Sequence, residues 1–341
     1  MFSLTDIRDI VEGVFDENWL KYRTEKSERN KRRILRSMAR EISYGVLDRA
    51  GYDFSFKRTP LEEIAKSLNI RQIQSRYVLG EATLQKTGNS WTVTHLFGLS
   101  NQRQRFSLAH EIAHIFLKLA EKNYASIRND EKIEEFCDRI AAELIVPEKL
   151  FEVNEFNEIV GKLAGYLNYS DFEDLHLNGP KLSINIIEGM RKHLYASRDT
   201  LIRQLHWTKF LDECNSGILC CTKSFNRKTG RLLDLRVLYA ASPSWMFIPN
   251  NKRVKSVINV NVSHFLENLK DNEKYSQKIQ ISTKIKKEDN RWSKEVNLEC
   301  IAEFTTYSYI TNKRRERRLL ITFSINPKSL PNKYFAISAS P

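Results

Sequence analysis

The chain has no run approaching the roughly 18 to 20 uncharged apolar residues that a membrane-spanning helix requires. Its first twenty residues hold Asp6, Asp9, Glu12, Asp16 and Glu17, which excludes a secretory signal, so a cytoplasmic location and no membrane partner are expected. The five cysteines, Cys137, Cys214, Cys220, Cys221 and Cys300, are odd in number and contain no C-x-x-C pair. That argues against a disulfide framework and against a cysteine zinc site, and they are read as reduced, mostly buried thiols. There is no internal repeat and no long low-complexity linker. Nor is there any excess charge over residues 1–200, where 30 Lys and Arg meet 30 Asp and Glu.

All of the net charge of +13 therefore arises in residues 201–341, with 25 Lys and Arg against 12 Asp and Glu. A field confined in this way favours an acidic partner, nucleic acid included, although basic faces also occur simply as solvated surface. At 341 residues the chain is long enough for two or three domains, each with its own core.

Residues 5–50 read as two helices, the second apolar at Ile34, Leu35, Met38, Ile42 and Val46, with Lys31, Arg32 and Arg33 on its wet face. Thr59-Pro60-Leu61-Glu62 has the pattern of a capping box with proline at the first helical position. Two strand-like segments follow, 77–85 and 90–97, joined by Lys86-Thr87-Gly88-Asn89, where the glycine permits a positive φ. His95, in the second strand, is read as packing rather than as a ligand. Residues 182–194 and 197–205 read as two short helices, the second capped by Ser197. They are either a helix-turn-helix or a plain connector. From about Cys214 the pattern turns to β, with strands expected at 218–225, 232–240, 254–262, 278–285, 296–310 and 319–325. The last two flank a basic tip, Thr311 to Arg318, able to touch phosphates or a carboxylate.

The chemistry concentrates in His110-Glu111-Ile112-Ala113-His114, an H-E-x-x-H pentapeptide inside a helix-period stretch from about Gln102 to Leu119. Two histidines one turn apart lie on one side of a helix, with Cβ atoms roughly 5 to 6 Å apart, so both imidazoles can reach one zinc ion. Glu111 between them is placed to accept a proton from the water. Because this helix is apolar on both sides, the histidines are expected inside the domain; left as a metal-free buried pair beside a carboxylate, they would be costly.

Catalytic zinc takes a third protein ligand. The next helix, opened by Asp130 and stopped by Pro147, stacks Glu134 and Asp138 on one side, with Ala141 leaving room for close packing. Glu134 is assigned to the metal, and Asp138 to the other ring nitrogen of a ligating imidazole. Glu143 lies about half a turn round from Glu134 and stays the alternative ligand, since periodicity does not decide between them. No oxyanion donor is identified; Tyr124 and His176 are available side chains.

Two segments, RQRFSLAHEIAHIFL at 103–117 and IEEFCDRIAAELIVP at 133–147, resemble the paired motifs of the ImmA/IrrE family of metallopeptidases, and the similarity extends over roughly residues 58–210. That resemblance implies a zincin-like fold, one zinc held by two histidines and a glutamate, and cleavage of helix-turn-helix repressors during stress or mobile-element responses. Position by position, His110, His114 and Glu134 match the ligands and Glu111 the catalytic glutamate; Asp138 stands where asparagine is frequent. In one branch of the family a sensor-like domain follows the peptidase domain.

The expected architecture is α+β. An N-terminal helical segment (1–57) precedes a zincin-like metallopeptidase domain with a small sheet (58–210), and a separate basic β-rich domain (211–341) senses a signal, binds DNA or presents substrate. The expected function is zinc-dependent cleavage of a helix-turn-helix repressor or similar regulatory partner, with strand 90–97 able to add substrate as an extra strand. The alternative is a DNA- or protein-binding regulator that uses the same fold as a non-catalytic scaffold.

Overall fold

The computed structural model describes residues 2–78, 80–120, 130–167, 181–206, 208–225, 232–249, 252–259, 268–286, 291–310 and 315–326. Tyr124, His176 and residues 311–314 of the basic tip lie outside the described residues. The fold is mixed helix and sheet, with helices dominating the N-terminal part and a six-stranded sheet the C-terminal part. It divides into two compact units: residues up to Asn154 with Arg191–Gln204, and Glu155–Met190 with residues from Leu205 onward. Among the described residues no helix is long and apolar enough to cross a membrane.

In the first unit, α1 (Leu4–Thr24) and α2 (Glu28–Arg49) form where the sequence places them. Ser3 and Asp6 cap α1 reciprocally, satisfying two backbone N–H groups that a helix start leaves unpaired. Ile7, Val11 and Phe15 on α1, and Leu35, Met38, Ile42 and Val46 on α2, make buried stripes at helical spacing. Arg32 and Arg33 stay exposed. The start of α3 (Leu61–Ser67) departs from expectation, because no side chain caps it. The Thr59 hydroxyl and carbonyl both accept from Arg105 Nη2, at 2.8 and 2.5 Å, and Glu62 accepts from Nη1 at 2.8 Å. A buried guanidinium needs its charge paired and partners for its Nη donors, and that demand outweighs a cap on a seven-residue helix, even though Arg105 Nε stays buried without a partner.

A three-stranded sheet follows, β1 (Ile70–Ser75), β2 (Ala82–Thr87) and β3 (Ser90–Leu96), in the order β1-β3-β2. The β2–β3 turn has Gly88 at φ 60°, as its sequence requires. Strand β1 was not expected, because IRQIQS is largely exposed and lacks apolar alternation. The strand expected from Tyr77 starts only at Ala82, leaving Tyr77 96% exposed. Since β3 pairs parallel with β1 and antiparallel with β2, both its edges are taken, so it cannot receive substrate as a further strand. Helix α4 (Asn101–Leu119) packs against β2 and β3 on one side and against α5 (Asp130–Ile145) and α1 on others, while α2 also packs on α5. Phe15 of α1 meets Phe136 of α5 edge-on at 6.1 Å between centroids.

Two short helices not anticipated from the sequence, α6 (Lys149–Val153) and α7 (Phe156–Lys162), come next. Then come α8 (Ile184–His193) and α9 (Arg198–Leu205), where Ser197 Oγ accepts from Thr200 N at 3.1 Å, as its role of N-cap requires.

In the second unit a short helix, α10 (Phe210–Glu213), leads into an antiparallel sheet of order β5-β4-β9-β8-β7-β6. Its strands are β4 (Ser216–Phe225), β5 (Leu232–Ala241), β6 (Met246–Phe247), β7 (Lys274–Lys286), β8 (Trp292–Ile310) and β9 (Arg315–Ile325). One face buries Leu219, Ile281, Phe304, Ile321 and Phe323, among others. A Cβ at Gly217 would run into the Phe323 ring, so β4 and β9 meet there only because that residue is glycine. Of the strand expected at 254–262, residues 260–262 lie outside the described residues, and the rest is a 3-10 turn, Val254–Ser256, followed by a bridge between Ile258 and Ile281. Its buried residues, Val254, Val257 and Ile258, are spaced three and four apart, which is the period of a helical turn. The described part of the basic tip is also engaged: Arg317 donates to Asp271 at 3.0 Å and to Thr306 at 2.8 Å, and Arg318 is buried.

The end of α5 is fastened by two carboxylates. Glu148 accepts both of its bonds from Arg36 Nη2, at 2.7 and 2.6 Å, and Glu143 accepts the N–H of Glu148 at 3.0 Å. Burial pushes the Glu143 carboxyl from its ordinary 4.5 up to about 7, a rise that the Glu148 charge assists and the Glu148 N–H opposes. A carboxyl with a raised folded-state pKa favours the fold while protonated, fully so below the unfolded value of about 4.5, and that contribution is lost as pH rises through about 7. Glu143→Gln keeps an acceptor for the Glu148 N–H. It should leave thermal stability near pH 4.5 almost unchanged and raise it at pH 8 by up to about 3 kcal/mol. Equal shifts at the two pH values would refute this.

Candidate metal centre

Helix α4 begins at Ser100, whose Oγ accepts from Arg103 N at 3.4 Å, and Arg103 is ion-paired with Glu81. One turn further along, the helix is buried through Leu108, Ile112, Ile115 and Phe116, and it turns His110 and His114 toward α5. On α5, Phe136, Cys137, Ile140, Ala141 and Leu144 are fully buried. Their burial fixes the rotation of the helix and so where Glu134 and Asp138 emerge.

The result is a convergence of donor atoms. His110 Nε2 and His114 Nε2 are 3.1 Å apart; Glu134 Oε2 lies 3.1 Å from the first, and Oε1 lies 3.3 Å from the second. Four tetrahedral ligands at about 2.0 to 2.1 Å from a zinc ion stand roughly 3.3 Å from one another, so three of the four corners of such a cage match the residues present. Candidate ligand atoms of these three residues all lie within 4.8 Å of one another. Two imidazole lone pairs directed at one point repel unless a proton or cation lies between them, and the donor set of two imidazoles and a carboxylate suits zinc.

The surroundings make the two histidines unequal. His110 Nδ1 donates to Asp138 Oδ1 at 2.9 Å. Burial pulls its pKa down, but the hydrogen bond and charge of Asp138, together with Glu134 and Glu111, outweigh this and leave it raised. His114 is lowered, first by burial and then by the adjacent His110. Glu111 is 8% exposed, and its carboxyl is pushed up mainly by burial. The helix lies inside the unit as expected, but the His110 and His114 side chains keep 17% and 24% exposure, so the cluster is open on one side.

Of the residues singled out from sequence, His110, His114, Glu134 and Asp138 come together here, with Glu111 alongside. Glu143 does not; it is held at the far end of α5 by the Glu148 N–H. His95 is buried, its Nε2 3.1 Å from Gln72 Oε1, and belongs to no such cluster. A residue not singled out, Cys137, places its Sγ 3.5 Å from His114 Nδ1. Its spacing, three residues after Glu134, already put it on the same face.

Residues 98–170 match the Peptidase_M78 family, described as the IrrE N-terminal-like domain, and the matched span contains both motif segments. No curated protein sequence matches the chain. Among solved structures it is similar to a Mycobacterium tuberculosis transcriptional regulator at 11% identity and a TM-score of 0.44, covering 97% of this chain and 86% of that one, a likeness too low to bear on function. Residues 98–170 thus carry an IrrE N-terminal-like domain, in keeping with the family that the two motif segments resemble.

Proposed function

We propose that the chain is a zinc-dependent endopeptidase with a zincin-like catalytic region, acting in the cytoplasm on a helix-turn-helix repressor or a similar regulatory protein. The observation that carries this is the convergence of His110, His114 and Glu134 beside Glu111. Within the proposal, residues 58–210 form the peptidase domain, 1–57 a helical support and 211–341 a sensing, DNA-binding or substrate-presenting domain. The regulatory substrate and the link to stress responses follow from the family resemblance.

Zinc held by His110, His114 and Glu134 would lower the pKa of a water toward about 7 and polarise the scissile carbonyl. Glu111 is the proton carrier. Its burial makes the carboxylate a stronger base than an exposed one, so it accepts a proton from the attacking water and passes it to the leaving amine. Asp138 takes the Nδ1–H of His110 and so fixes the tautomer that leaves Nε2 free to ligate.

A second reading, in which the fold serves a DNA-binding regulator, is favoured by one feature of the sheet unit. Arg236 and Arg253 stand opposite each other in an antiparallel bridge, both exposed, with exposed Lys252 and Lys255 beside them. Like charges in that position are destabilising unless an anion lies between them. A peptidase recruited to a DNA-bound repressor would make the two readings compatible.

Glu111→Gln should retain zinc and lose cleavage of a candidate repressor by at least about 100-fold; full activity in that variant would sink the assignment. Glu134→Ala should lose stoichiometric zinc while Glu143→Gln keeps it, as read by metal analysis after dialysis, and the opposite pattern would make Glu143 the ligand. For the DNA reading, the affinity for duplex DNA should fall steeply with salt. The double change Arg236→Ala with Arg253→Ala should flatten the log–log slope by about 1.8, and an unaltered slope would remove that surface.

A further inference from the structure

His110 and His114 direct the same ring nitrogen, Nε2, at the shared centre, so their Nδ1 atoms face away from it and each needs its own partner. For His110 that partner is the Asp138 carboxylate at 2.9 Å. For His114 it is the sulfur of Cys137 at 3.5 Å, within the longer range that hydrogen bonds to sulfur occupy. Cys137 is fully buried between α4 and α5, which keeps water from competing for His114 Nδ1. Glu134, Cys137 and Asp138 fall three and four residues apart on α5, so one face of that helix supplies a ligand and a support for each histidine.

We infer that Cys137 is a positioning residue, whose sulfur accepts the Nδ1–H of His114 and so holds that ring with its Nε2 lone pair toward the cation site. This rests on the metal-centre reading above. The direction of the bond follows from the chemistry: an imidazole that gives its Nε2 lone pair to a cation carries its proton on Nδ1 and must donate from there. The two histidine ligands are thereby made different, one backed by a carboxylate and the other by sulfur, a weaker acceptor.

Serine and alanine are nearly equal in volume, so Cys137→Ser and Cys137→Ala lose the same packing and differ only in a hydroxyl acceptor. Zinc affinity of the full chain is measured by competition with a chelator, and the ligand field by the absorption spectrum of the cobalt-substituted protein. Cys137→Ala should bind zinc about 10-fold more weakly than the unaltered chain and shift the cobalt bands. Cys137→Ser should fall between the two, because its shorter bond leaves the oxygen a little further from Nδ1. Equal zinc affinities and identical cobalt spectra for the two variants would show that the sulfur only fills space, and would overturn the inference. Failure of the unaltered chain to bind zinc or cobalt would instead overturn the metal centre itself, and the inference with it.

Discussion

Two imidazole nitrogens 3.1 Å apart, closed off by carboxylate oxygens at 3.1 and 3.3 Å, form an arrangement that repels itself unless positive charge sits at its centre. The packing of the first unit's helices holds those atoms converged. The packing of α4 on α5 supplies the third corner, and it is the fully buried Phe136, Ile140 and Leu144 that set the rotation of α5. The α1–α2 pair braces both helices from behind, with Phe15 against Phe136 and the Arg36–Glu148 ion pair at the end of α5. Such a site needs support on this scale, because an error of a fraction of an ångström in helix register would separate the nitrogens from the carboxylate.

How much of this was legible in the sequence depended on whether the signal was local. The H-E-x-x-H spacing and the stacking of Glu134 with Asp138 are helix-period facts, and the structure brings those residues together. Choosing between Glu134 and Glu143 was not a local matter. The choice turns on which face of α5 is buried, and hence on tertiary packing. Glu143 is drawn to the chain reversal at Pro147, where the Glu148 N–H needs an acceptor. Thr59 shows the same limit: its sequence is that of a helix cap, but a buried guanidinium 46 residues away claims the hydroxyl. Strand β1 was missed because an exposed polar strand shows no alternation, and 254–258 was misread because a short apolar run does not separate a strand from a helical turn.

The basic excess of residues 201–341 is likewise more dispersed than its sequence suggests. Arg317 and Arg318 are drawn into the sheet unit, and Lys284 stands opposite Glu295 in the β7–β8 register. Net charge describes the field of a region. The position of a contact surface depends on which cations stand side by side, as Arg236 and Arg253 do in their bridge.

The first unit is discontinuous in the chain, and residues 191–204 are integral to it. Leu201 and Ile202 are fully buried, His193 stacks on Phe56 and donates to its carbonyl at 2.6 Å, and Gln204 donates to the Val146 carbonyl at 2.8 Å. A nascent polypeptide therefore cannot finish the unit that bears the histidines until it has been synthesised past Gln204, by which point residues 155–190 of the other unit have already been made. The helices that carry His110, His114 and Glu134 are thus complete in sequence well before the unit that holds them is complete in packing.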